Sequence, residues 1–125
     1  MSEMQKSLYE QVGGQKAVEA AVIKMYDKVL ADPLLSPYFK ETNMNDLRRS
    51  QIGFVTMALG GPHHYKSIDL RAAHLELCVN GLTHKHFDAT VGHLQEALRE
   101  LGVAELLIRE ATAILETTRR DVLNL

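Results

Sequence analysis

The chain has 125 residues, 46% of them hydrophobic and 24% charged, with a formal net charge of −2 at neutral pH. That is one domain, with room for a core that needs no covalent staples. A charge so close to zero gives no reason to expect nucleic acid or an anionic membrane as partner, and the single cysteine, Cys78, excludes an intrachain disulfide and a thiolate metal cluster.

No stretch approaches the ~20 apolar residues of a membrane span. Met1 to Lys6 is polar and no apolar leader segment follows it, so a cytoplasmic protein is expected. In chain order, Ser7 is placed to cap a short first helix that stops at Gly13-Gly14. A longer helix runs from about Gln15 to Ala31 and ends at Asp32-Pro33, because proline disfavours the helical conformation in the residue before it. Pro33 to Thr42, with Pro37 inside it, reads as an irregular corner or a pair of short turns. Asn43 or Asn45 opens the next helix, which reaches about Leu59 and stops at Gly60-Gly61-Pro62. His63 to Ile68 reads as a loop. Asp69 is placed to cap a short helix through about Val79, ended by Asn80-Gly81. Thr83 caps a long helix to Leu101 with Gly102 as its stop, and the last helix covers roughly Val103 to Val122. No segment alternates as a strand does, and there is no internal repeat or linker, so the chain reads as a single all-α domain over residues 1–125.

Three of these helices carry a polar side chain on their apolar stripe. Tyr26 lies among Val18, Val22, Met25 and Val29; Gln51 among Leu47, Ser50, Phe54, Val55 and Ala58; His74 among Leu70, Ala73 and Leu77. An unpaired polar group in a core costs roughly 1–3 kcal/mol, so each needs a partner. Taken singly, Tyr26 could reach a backbone carbonyl and His74 could be a satisfied core histidine. Gln51 is harder to satisfy, since both its amide nitrogen and oxygen need partners. Together they suggest helices arranged around a group that takes an imidazole and hydrogen bonds, and a haem iron meets that description. Phe39 and Phe54 are flat apolar contacts suited to a porphyrin face.

The remaining histidines form a weak zinc signal: His63-His64 are loop neighbours, His84 and His86 sit at a helix start, and His93 is two turns beyond His86. Arg48-Arg49 and Arg119-Arg120 read as solvated basic pairs.

Leu8 to Gly14 (LYEQVGG), Met25 to Leu30 (MYDKVL), Tyr38-Phe39, Ser50-Gln51 with Phe54, Ala58 to Pro62 (ALGGP), Arg71 to His74 (RAAH) and His86-Phe87-Asp88 follow in sequence over nearly the whole chain. That order of motifs resembles the group I truncated haemoglobins. The resemblance implies a two-over-two helical sandwich around a haem pocket. It implies His74 as the proximal iron ligand of one haem b, Tyr26 and Gln51 as the distal hydrogen-bonding pair, and Phe39 packed on the haem near the corner. Leu47, Phe54, Leu70 and Phe87 complete the expected haem contacts.

Three positions depart from the family pattern. Leu47 stands where many relatives carry a glutamine, so the distal network here is expected to rest on Tyr26 and Gln51 alone. Ser50 replaces a histidine that ligates iron in some cyanobacterial relatives. Thr117-Thr118 replaces a histidine that bonds covalently to a haem vinyl in others, so an extractable haem is expected.

Functionally the resemblance implies binding of O2, CO and NO by a monomer, for oxygen binding, storage or sensing. An alternative is an NO dioxygenase supplied with electrons by a separate reductase. A haem-free helical interaction module is the reading from another class.

Overall fold

The computed structural model describes residues 6–62 and 69–125, with the side chains of residues 69 and 70 outside that description. The expected loop from His63 to Ile68, the His63-His64 pair, the Asp69 cap and the Leu70 side chain therefore lie outside the described residues.

Among the described residues seven α-helices follow one another: α1 (Leu8–Val12), α2 (Gly14–Ala31), α3 (Met44–Ala58), α4 (Asp69–Val79), α5 (His84–Glu100), α6 (Glu105–Glu116) and α7 (Arg119–Val122). A 3-10 turn, Ser36–Phe39, fills the corner between α2 and α3. No strand occurs among the described residues.

Local chemistry explains most of the boundaries. The Ser7 hydroxyl accepts from the Glu10 amide at 3.2 Å and opens α1. Gly13, at φ +123°, joins α1 to α2 in a conformation that L side chains rarely adopt. Asp32 ends α2, and its carboxylate accepts from the Leu34 amide at 2.9 Å, which starts the corner. Of the two candidate caps for α3, Asn43 is the one used: its side-chain oxygen accepts from the Asp46 amide at 3.1 Å. At the start of α5, the Thr83 amide donates to His86 Nδ1 at 3.1 Å, so His86 takes the part a Glu or Gln plays in a capping box.

The continuous last helix expected from Val103 to Val122 is instead two helices, broken at Thr117-Thr118. Both hydroxyls bond back to carbonyls three residues earlier, Thr117 to Ile114 and Thr118 to Leu115, each at 2.6 Å. Such local bonds compete with the helical ladder and turn the chain.

Packing joins α2 to α3 and α5 to α6, and lays one pair over the other through α2 against α5 and α3 against α6. The apolar stripe of α2 (Val18, Ala21, Val22, Met25, Val29) meets Leu94 and Leu98 of α5 and Ile108, Ala111 and Leu115 of α6 in one core. α1 is fastened beside it, where the Tyr9 amide donates to the Leu59 carbonyl at 2.9 Å. α4 differs from the other long helices. None of its described residues is buried, and it packs chiefly on the short α7.

Candidate functional site

A cavity of about 200 Å³ opens between the two helix pairs. Of the residues singled out from the sequence, Tyr26, Phe39, Leu47, Gln51, Phe54, His74 and Phe87 all line it, and the Leu70 side chain is not among the described ones. Ser50 and Ala73 line it as well.

Each wall has its own origin. α2 contributes Met25, Tyr26 and Val29, which belong to its buried apolar stripe. The 3-10 turn brings Phe39, whose ring meets the Tyr26 ring edge-on at 6.0 Å. α3 adds Leu47, Ser50, Gln51 and Phe54 from successive turns, and α4 adds His74 with Ala73 and Leu77.

Tyr26 is only 4% exposed. Burial pushes its phenol well above the ordinary range, and the Arg48 guanidinium offsets only part of that rise. The hydroxyl therefore keeps its proton at any ordinary pH and remains a donor. Neither that hydroxyl nor the Gln51 amide makes a hydrogen bond to another described residue, although both groups border the cavity. The backbone-carbonyl partner considered for Tyr26 is thus not found among the described residues.

Arg48 corrects the reading of Arg48-Arg49 as a solvated pair. Arg49 is exposed and reaches Asp46, but Arg48 is half-buried and its Nε is buried without a hydrogen-bond partner among the described residues. Arg119 corrects the second pair in the same way. Its guanidinium lies 4.5 Å from the centre of the Phe87 ring and pairs with Asp88 and Glu116. It thereby fixes a cavity-lining ring from behind. A long basic side chain read as solvated from its neighbours in sequence is drawn in by acidic and aromatic groups from other elements.

Sequence reasoning missed Tyr38, Leu82, Thr90 and Val91, and it missed His86 as a wall residue, whereas Thr118, singled out beside Thr117, does border the cavity. His86 is 9% exposed and meets the Tyr38 ring edge-on at 5.2 Å. A capping box at Thr83 and His86 was the available signal. His93 lies elsewhere, paired with Asp32. Among the described residues no three His, Cys, Asp or Glu side chains converge on a metal position.

The donor set fits a haem. The imidazole of His74, from α4, and that of His86, whose Nδ1 accepts from the Thr83 amide, share an otherwise largely apolar cavity with a phenol and an amide from α2 and α3 that have no other described partners. Three phenylalanines, Phe39, Phe54 and Phe87, supply aromatic walls.

Residues 7–124 match the family described as bacterial-like globin. A group 1 truncated hemoglobin of Tetrahymena thermophila is 44% identical, with 95% of this chain and 96% of that protein covered. The solved truncated hemoglobin of Tetrahymena pyriformis in its Fe(III) form superimposes with a TM-score of 0.87 at 42% identity, covering 94% of this chain and 98% of that one. A 2/2 hemoglobin from Synechococcus, solved in the cyanomet state with covalently attached heme, superimposes with a TM-score of 0.89 at 43% identity, covering 96% and 100%.

Proposed function

The chain belongs to the bacterial-like globins, among the group 1 truncated haemoglobins, and on that footing we propose that it binds haem b through His74 and holds a diatomic gas with Tyr26 and Gln51. The observation that carries this reading is the meeting of those three side chains, from α4, α2 and α3, in one cavity. Haem bound there supplies an iron that coordinates O2, CO or NO.

His74 would hold the iron through a neutral imidazole nitrogen. Phe39, Phe54 and Phe87, with Leu47, Val29 and Leu94, line the cavity and would give a porphyrin an apolar surround that excludes water. Tyr26 donates from a phenol that burial keeps protonated, and Gln51 donates from its amide nitrogen. A gas whose outer atom carries partial negative charge gains on the order of 1.5–3 kcal/mol from each such donor. Such donors would stabilise bound O2 more than bound CO, and would slow the release of O2.

Leu47 offers no donor and the Ser50 hydroxyl is short, so the two named donors set the polarity of the gas site. Holding a gas on haem iron calls on these residues and on no electron donor. Turnover of NO calls in addition for a separate electron donor, so reversible O2 binding is the reading carried forward.

The test is an optical spectrum of the purified protein, as isolated and after addition of haemin. Ferrous, oxy and CO forms with an imidazole-ligated haem b spectrum are expected. A protein that is colourless and takes up no haemin would leave the helical interaction module as the explanation.

A further inference from the structure

We propose that the segment from Asp121 to Leu125 is a latch that positions His74, with Arg71 and Asn124 as its principal residues. The proposal rests on His74 being the iron ligand, and it concerns how α4 is held in place to serve as one.

Among its described residues, α4 lacks the usual means of attachment. None of its described residues is buried, so little apolar packing locates it, and its main neighbour is the four-residue α7. Polar contacts take over that work. Arg71, three residues before His74, donates from Nη1 to Asp121 Oδ1 at 2.9 Å and from Nη2 to the Leu125 carbonyl at 3.0 Å. Asn124 Nδ2 donates to the Arg71 carbonyl at 3.1 Å and points to Cys78 Sγ at 3.7 Å. Cys78, four residues after His74, donates in turn to the Val122 carbonyl at 3.4 Å.

Residues three and four apart on a helix share a face. His74 is therefore bracketed, one turn to each side, by residues fastened to the same five-residue segment. Asn124 holds φ at +55°, the one positive φ at a non-glycine position among the described residues. Asparagine tolerates that conformation better than most residues, and here its side chain is turned back onto α4. The segment is itself anchored: Arg119 ties α7 to Asp88 at the start of α5, and Leu123 is buried. Support thus passes from the core through α5 and α7 to α4, and so to His74.

The test uses the haem-loaded, full-length protein. Three quantities are read: the iron–imidazole stretching band of the ferrous ligand-free form, the rate of haem transfer to an acceptor globin, and amide exchange over 69–79. Arg71→Leu and Asn124→Ala should each shift or broaden the band, and combined they should speed haem transfer and α4 exchange by about tenfold. Exchange in α2 and α5 should stay unchanged. Arg71→Lys, which keeps the charge opposite Asp121, should fall between wild type and Arg71→Leu. Lys28→Ala, which removes an ion pair to Glu100 far from α4, should move none of the three. A wild-type band that persists unmoved in both Arg71→Leu and Asn124→Ala, with α4 exchange unchanged, overturns the latch alone. A haem-loaded wild type without an iron–imidazole band overturns the ligand assignment and the latch with it.

Discussion

His93 Nε2 lies 2.8 Å from Asp32 Oδ2, joining the middle of α5 to the residue that ends α2. The hydrogen bond from His93, and after it the one from the Leu34 amide, holds the Asp32 carboxyl below its ordinary range. The folded state then gives up that proton more readily than the unfolded chain, whose carboxyl titrates near ~3.9. The stabilisation is present above that value and is lost as the pH falls through the lower folded one. Asp32→Asn should lower Tm at pH 7 by about a few degrees, and the difference from wild type should close toward pH 3. Thermal melts between pH 3 and pH 7 check this; a difference independent of pH means the carboxylate charge is not what stabilises the joint.

Two glycines should respond in opposite directions to alanine. A Cβ on buried Gly61 would lie 2.6 Å from Cγ of Tyr9 and 2.9 Å from Cγ2 of Thr56, so Gly61→Ala should destabilise by about 1–3 kcal/mol. A Cβ on Gly92, inside α5, meets nothing within 4 Å, so Gly92→Ala should stabilise by about 0.5–1 kcal/mol. Urea denaturation of both variants gives the two signs directly.

Removing the imidazole should remove the haem. His74→Ala is expected to lose most of it, or to bind it with a spectrum lacking imidazole ligation that added imidazole partly restores. Full haem content and an unchanged ferrous-CO band in that variant would sink the assignment.

The haem should be extractable. Thr118 lines the cavity with its hydroxyl bonded to Leu115, so neither it nor Thr117 offers an imidazole for a vinyl bond. Acidified butanone should strip the haem even after reduction. If intact mass spectrometry finds haem on the denatured chain, His86, which also borders the cavity, is the side chain to replace first.

Tyr26→Phe and Gln51→Leu should each speed O2 release by about tenfold or more while altering CO much less. The double variant should be non-additive, because both donors serve one bound gas. Stopped-flow ligand exchange measures all three. Equal effects on O2 and CO, or none, make both residues structural.

Much of this architecture is legible in the sequence where one local signal decides it. The α2 stripe and its stop at Asp32-Pro33, the glycines after α3 and the Gly102 stop after α5 are of that kind. The resemblance is legible for a different reason, since it rests on the order of many motifs along the chain. Asn43 against Asn45 needed coordinates, since both are good caps and only the direction of the chain chooses between them. The break at Thr117-Thr118 was hidden because threonine is tolerated inside helices, and its back-bonding shows only in three dimensions. Arg48, Arg119 and His86 were misjudged for a related reason. Their surroundings come from Tyr26, Asp88, Phe87 and Tyr38, on other elements, and no window along the chain contains them.

The sequence separation of 50 between Arg71 and Asp121 bears on the order in which the molecule assembles. Closing a long loop carries an entropic penalty that grows roughly as (3/2)RT ln n, and α4 recovers little of it by burying apolar surface. The core around α2 and α5 does not depend on that closure. Refolding from denaturant should therefore restore most helical signal first and the capacity to take up haemin afterwards, with the later step slowed further in Arg71→Leu.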